Sequence, residues 1–169
     1  MNPRYRKPGF SLIELMIAIS VAAILFGIAV PQFSALTQNA RISSARNGLF
    51  TAFQLARTEA ITRRAHVVVC ASAEGESCSG AWVSGVLVFV DTNRNRQHDS
   101  SERLLTKFMP DAFKNLAVNG NRRVTSFGPD GRSGGSNQTV SFCAPGRNDG
   151  LSVVISNAGR VRMGKVTCG

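Results

Sequence analysis

Two groups of side chains in this 169-residue sequence are spaced for electrostatic chemistry, and a third imitates a metal loop. Glu14 is the single charge between Phe10 and Arg41, set near the start of an apolar run. A carboxylate in such surroundings is expensive unless it has a partner or a task. Arg160 and Arg162 follow Gly159 with one residue between them. In an extended strand they share a face, about 6.8 Å apart, and two guanidiniums so placed can fork onto neighbouring phosphates. Gly159 supplies the positive φ of a tight turn before them. Lys165, Arg147 and the Arg122–Arg123 pair extend this cationic group if the fold gathers them.

The third group is Asp91, Asn93, Asn95, Gln97, Asp99 and Glu102, which fall in the register of a calcium-binding loop. Arg96 stands where that loop needs glycine, Arg94 adds a second repulsive charge, and a strand precedes the loop. The expectation is a polar hairpin turn rich in Asn and Asp, with no metal. Residues 128–137 (GPDGRSGGSN) lack the Gly-Lys-Ser/Thr ending of a phosphate-binding P-loop and read as a mobile loop or turn cluster. His66 falls in a strand and His98 in the polar turn, neither beside an evident nucleophile. No enzyme and no cofactor are expected.

Charge is distributed unevenly. The formal charge is +10. Within residues 112–169 the cations are Lys114, Arg122, Arg123, Arg132, Arg147, Arg160, Arg162 and Lys165, opposed by Asp130 and Asp149 alone. That asymmetry suggests a polyanionic partner such as nucleic acid, surface polysaccharide or lipid headgroups.

The elements that must position these groups begin with the apolar run. Residues 10–30 are long enough for a helix to cross about 30 Å of hydrocarbon. Ile42, Ala45, Leu49, Phe53, Ala56 and Ala60 recur at steps of three and four, so the helix continues past Pro31 and turns one apolar stripe to a core. One long helix is expected over 11–64, with Pro31 bending it without ending it. After residue 65 the pattern changes to short segments rich in β-branched residues: 66–71, 83–90, 124–127, 139–143, 151–156 and 160–167. No βαβ alternation occurs, so the class is α+β, a long N-terminal membrane-spanning helix packed on a C-terminal antiparallel β domain. The organisation is a basic leader (1–9), a long helix (10–64, with an apolar half 10–30 and an amphipathic half 32–64) and a β domain (65–169).

Arg4, Arg6 and Lys7 precede the span and place the leader in the cytoplasm, which puts the body across the membrane in a compartment where disulfides persist. Cys70, Cys78, Cys143 and Cys168 allow three pairings. Cys70–Cys78 is favoured as a local clip and Cys143–Cys168 as a clamp on the C-terminal strands, the longer loop contributing about 3–4 kcal/mol. Zinc is disfavoured by the lack of a Cys-x-x-Cys pair and the scarcity of His.

Gly9-Phe10-Ser11-Leu12-Ile13-Glu14-Leu15 resembles the class III leader of type IV prepilins and of type II secretion pseudopilins. The resemblance implies cleavage by a prepilin peptidase after Gly9, methylation of the new N-terminal Phe10, and retention of the membrane helix. It also implies that Glu14 meets the N-terminal amine of a neighbouring subunit during assembly, a strong pairing in low dielectric. Pro31 matches a helix-kinking proline of the family. Over the body, Trp82 to Val90 leading into Asp91-Thr92-Asn93, then Glu102-Arg103-Leu104-Leu105 and the Ser156–Arg162 hairpin, resemble the FimT/FimU minor pilins and GspH minor pseudopilins. Many relatives have Trp-x-x-Gly-Trp where this chain has Trp82-Val83-Ser84-Gly85-Val86. Gly159-Arg160-Val161-Arg162 resembles the DNA-binding motif of FimT-type pilins. These likenesses imply a minor type IV pilin in the inner membrane with a periplasmic body, entering the pilus or its tip with other major and minor pilins. DNA is the implied partner, bound for natural transformation through Arg160 and Arg162. The alternatives are a GspH-like pseudopilin of type II secretion and a purely structural subunit that primes assembly.

Overall fold

A computed structural model describes residues 11–108 and 110–169 of the chain. Gly9 and Phe10, the expected cleavage and methylation residues, lie outside the described residues. The first element, α1, is a helix over Leu12–Arg63, within one residue at each end of the span expected from periodicity, and it runs through Pro31. Its C-terminus closes by a Schellman-type pattern. The Ala65 N–H donates to the Ala60 carbonyl at 3.2 Å, and Arg64 takes the left-handed conformation, φ 52°.

The chain divides into two compact units between Gln38 and Asn39. In the first, Leu12–Ala29 has a mean hydropathy of 2.5 and is long and apolar enough to cross a membrane. Its large side chains, Leu12, Ile13, Ile17, Leu25 and Phe26 among them, are exposed. In the second unit, the stripe Ile42, Ala45, Leu49, Phe53, Ala56 and Ala60 is buried, as its spacing requires.

Two four-stranded antiparallel sheets share that stripe as their core. The strands are β1 (His66–Ala71), β2 (Val86–Asp91), β3 (Leu104–Phe108), β4 (Ala117–Gly120), β5 (Val124–Phe127), β6 (Gln138–Cys143), β7 (Asp149–Ile155) and β8 (Val161–Thr167). One sheet has the order β3-β2-β1-β5 and the other β4-β6-β7-β8. Val67, Val69, Val88 and Phe127 from the first sheet and Val140, Phe142, Val153 and Ile155 from the second meet Leu49 and Phe53 in one cluster. Burying each such side chain contributes about 1.5–3 kcal/mol. Phe53 holds the centre, its ring 6.0 Å from Trp82 and 6.5 Å from Phe127.

The strand expected at 83–90 starts later, because Trp82–Ser84 form a short 3₁₀ turn that inserts Trp82 into the core. The indole N–H then donates to the Arg122 carbonyl at 2.6 Å. β1 and β2 are covered on both faces. Val68, Cys70, Leu87 and Phe89 form a second, smaller cluster closed by Cys78 and Val124. The disulfides are Cys70–Cys78 and Cys143–Cys168, with Cα separations of 5.5 and 6.0 Å. The first holds the 72–81 loop over this outer cluster, and the second fastens β6 to the end of β8.

Residues 128–137 are a docked turn cluster. Gly131, Ser133 and Ser136 are buried, and the Arg57 Nε–H donates to the Gly131 carbonyl at 3.2 Å. The Ser133 N–H donates to the Asn157 carbonyl at 3.1 Å, and its hydroxyl to the Ser156 carbonyl at 2.8 Å. This cluster is therefore bolted to the turn before β8. Gly159, φ 75°, completes the joint. A Cβ there would overlap the Gly131 carbonyl and sit 3.2 Å from the Arg132 Cα. Gly159→Ala should therefore destabilise the fold by at least about 2 kcal/mol. Denaturant unfolding followed by fluorescence of Trp82, the single tryptophan, would check it.

Candidate functional site

The turn that presents the two arginines is built from local hydrogen bonds. The Gly159 N–H donates to the Ser156 carbonyl at 2.8 Å, and the Ser156 N–H to the Arg160 carbonyl at 3.1 Å. The Ser156 hydroxyl accepts from the Arg160 N–H at 3.2 Å. Arg160 thus stands one residue before β8, already paired. Val161 is buried while Arg160 and Arg162 are exposed, so by strand alternation both guanidiniums lie opposite the core. Among the described residues neither side chain has an ion pair or hydrogen bond. β8 is also the edge of its sheet, which leaves the arm open to a partner.

The other expected cations separate into distinct places. Arg122 belongs with the arm. Its Nε–H donates to the Asn137 carbonyl at 3.1 Å. The next residue, Gln138, pairs with Ile155, which pairs with Val161. Arg122 and Arg160 therefore flank one end of the sheet, three strands apart, about 14 Å at ordinary strand spacing. Arg123 precedes β5, in the other sheet, where its carbonyl accepts from the Ala71 N–H at 2.9 Å.

Lys165 and Arg147 do not join this group. Lys165 lies three residues beyond Arg162 on β8 and opposite Leu151, an odd step that turns it to the other face. Arg147 is held by Asp149, with Nε–H and Nη2–H donating to the two carboxylate oxygens at 3.0 and 2.7 Å. Its Nη1–H donates to the Asn39 amide oxygen. A guanidinium so engaged has fewer donors left for an external phosphate than a free one.

Arg132 is the cation that sequence reasoning left out of the site. Its backbone packs against Gly159 and its side chain is exposed. A glycine needed at 159 for close approach was the available signal, but the approaching segment is 28 residues upstream and not readable from spacing. Glu14 is an exposed side chain in the first turn of α1.

The polar turn after β2 folds on itself. Asp91 is buried, its oxygens accepting the N–H groups of Asn95 at 3.2 Å and Arg96 at 3.1 Å. Glu102 accepts from the Thr92 N–H at 2.7 Å and the Asp99 N–H at 3.2 Å. Asp99 accepts from the Asn93 and Asn95 amides at 2.7 and 3.0 Å. The calcium-like spacing thus serves a self-capped loop, and among the described residues no cluster of His, Cys, Asp or Glu is placed to hold a metal.

Electrostatics at the Arg147 end carry a testable sign. Hydrogen bonds from the Arg147 guanidinium hold the Asp149 carboxyl below its ordinary value, and the charges of Arg147 and Lys165 act in the same direction. The folded-state value is lowered, so the stabilisation is present above the ordinary carboxylate value and disappears as pH falls through the lowered one. Carboxyl NMR titration should find Asp149 below the ordinary range in the wild-type chain and moved upward in Arg147→Ala.

Comparison with known proteins follows the same architecture. The family model for the type II transport protein GspH matches residues 45–159, and the prokaryotic N-terminal methylation motif matches residues 4–30. Pilin-like protein PilA1 of Thermus thermophilus is 34% identical over 96 residues, 57% of this chain. The match spans 56% of that relative, little more than half its length. The type IV minor pilin FimU of Pseudomonas aeruginosa has a similar fold in two crystal forms, with TM-scores of 0.61 and 0.57 at 21% identity. These alignments cover 76% and 72% of this chain and 92% and 91% of FimU.

Proposed function

The chain belongs to the GspH family of type IV pilin-like proteins, and from that premise we propose that it is a minor pilin that binds DNA through the arm before and within β8. The single observation that carries the proposal is the pair Arg160 and Arg162, exposed on one face of an open sheet edge and, among the described residues, without a side-chain hydrogen bond or ion pair. Guanidiniums in that arrangement contact phosphates by forked hydrogen bonds and leave base edges unread. Binding is therefore sequence-tolerant and weakened by salt. Arg122 supports the same end of the sheet, while Arg123, Arg147 and Lys165 are secondary.

Assembly is the other half of the function. The leader motif and the apolar helix suggest a membrane-anchored pilin. On this reading a prepilin peptidase cuts after Gly9, Phe10 is methylated, and Glu14 neutralises the amine of a neighbouring pilin. The anchor is in the inner membrane and the disulfide-clamped body is periplasmic until the subunit enters the pilus. The work is binding and assembly, without turnover.

A GspH-like pseudopilin of type II secretion shares the leader and the fold, and the family match alone favours neither. The free arginine pair favours the pilus, since a secretion pseudopilus needs no polyanion site. In a naturally transformable host, Arg160→Ala with Arg162→Ala should reduce DNA uptake at least tenfold while surface pili remain. Unchanged uptake and piliation would point to the structural subunit, and lost piliation to a role of the arm in assembly.

A further inference from the structure

A cavity of about 560 Å³ opens between the turn after β2 and residues 128–134 of the docked cluster. Its walls include Arg94, Arg96, Arg132, His66 and Pro129, with Asp91 and Asp130 also lining it. The volume is within the range of small-molecule sites, about 300–1,000 Å³. Among the described residues none of the three arginine side chains has a hydrogen bond or an ion pair. The two carboxylates are turned to the backbone. Asp91 takes the N–H groups of Asn95 and Arg96, and Asp130 takes the Arg132 N–H at 3.0 Å.

Two of these arginines are held against their conformational preference. Arg94 and Arg96 have φ of 62° and 60°, where glycine or asparagine is the low-strain choice. Strain of this kind occurs most at ligand clamps and other functional sites. The third, Arg132, joins the cavity to the arm. Its Cα lies against Gly159, and the next residue on the other side of that joint is Arg160. One exposed cation, Arg132, is thus shared between the cavity wall and the joint that carries the arm.

We propose that this cavity receives one nucleotide of a DNA strand, with its phosphate held by Arg132, Arg94 and Arg96, so that the binding track turns inward from the arm and favours single strands. This rests on the DNA-binding reading above and extends it by a second, concave contact. A single strand can place a nucleotide there directly, whereas a duplex must first extrude one from its stack. His66 and Pro129 offer the flat and apolar surfaces against which a base or sugar packs.

The test is fluorescence anisotropy of labelled single-stranded and duplex oligonucleotides with the full chain in non-ionic detergent micelles, over a salt series. One variant combines Arg94→Gly, Arg96→Gly and Arg132→Gln; glycine suits the positive φ at both positions, which favours retention of the fold. Arg132→Gln alone serves as a second variant should the glycine pair loosen the turn. The expected result is a single-strand affinity reduced at least tenfold in the triple variant, with the salt slope flattened by roughly 0.7 per arginine removed. Arg132→Gln alone should retain part of that loss, duplex binding should fall less, and Asp130→Asn should tighten single-strand binding. Wild-type affinity in both cavity variants, beside a loss in Arg160→Ala with Arg162→Ala, would overturn the cavity and leave the arm standing. Equal losses on single strand and duplex would overturn the nucleotide pocket. No binding of either DNA by the folded wild-type chain would overturn the pocket and the DNA-binding reading together.

Discussion

Everything in the body depends on one strip of α1. Leu49, Phe53, Ala56 and Ala60 are fully buried, and both sheets close on them. The alanines let strand side chains approach the helix axis, and the one large aromatic, Phe53, fills the space between Trp82 and Phe127. Arg57, at the edge of the same strip, ties the carbonyl of Gly131. The 128–137 cluster is thereby fixed, the Gly159 turn is fixed on the cluster, and Arg160 and Arg162 issue from that turn. A side chain on the helix thus sets the position of a surface arm about a hundred residues later in the chain.

How much of this was legible depended on whether the signal was local. The helix and its stripe were readable because burial follows a fixed period along a single element. β1 and β5 were readable because Val67 to Val69 and Val124 to Phe127 are short β-branched or aromatic runs between turns. β3 and β4 were not. Leu104–Phe108 is an edge strand with its residues mostly half-exposed, so it shows no alternation. Ala117–Gly120 buries Val118 alone, and one residue makes no pattern.

The site divides along the same line. Arg160 and Arg162 were legible because their spacing and the glycine before them are contained in four residues. The opposite facing of Lys165 was also contained in the sequence, since a step of three in a strand reverses the side. Arg132 was invisible, because its place depends on two distant glycines meeting backbone to backbone. The polar turn after β2 is the Asn- and Asp-rich turn that its composition suggests. Its carboxylates fall at ligand intervals, yet their oxygens are occupied by amides of the same loop, which gives that spacing a structural purpose.

The two ends of the second sheet illustrate how charge acquires or loses function. At the Arg147 end a guanidinium, a carboxylate and an amide satisfy one another on the surface. At the Arg160 end, among the described residues, Arg160 and Arg162 have no side-chain hydrogen bond or ion pair, which leaves both guanidiniums available to an external anion. The most direct measurement is the affinity of the full, oxidised chain in detergent for DNA across a salt series. Counterion release predicts that log K falls linearly with log salt, with a slope of several units. Binding that is absent, or that is insensitive to salt, would contradict the account.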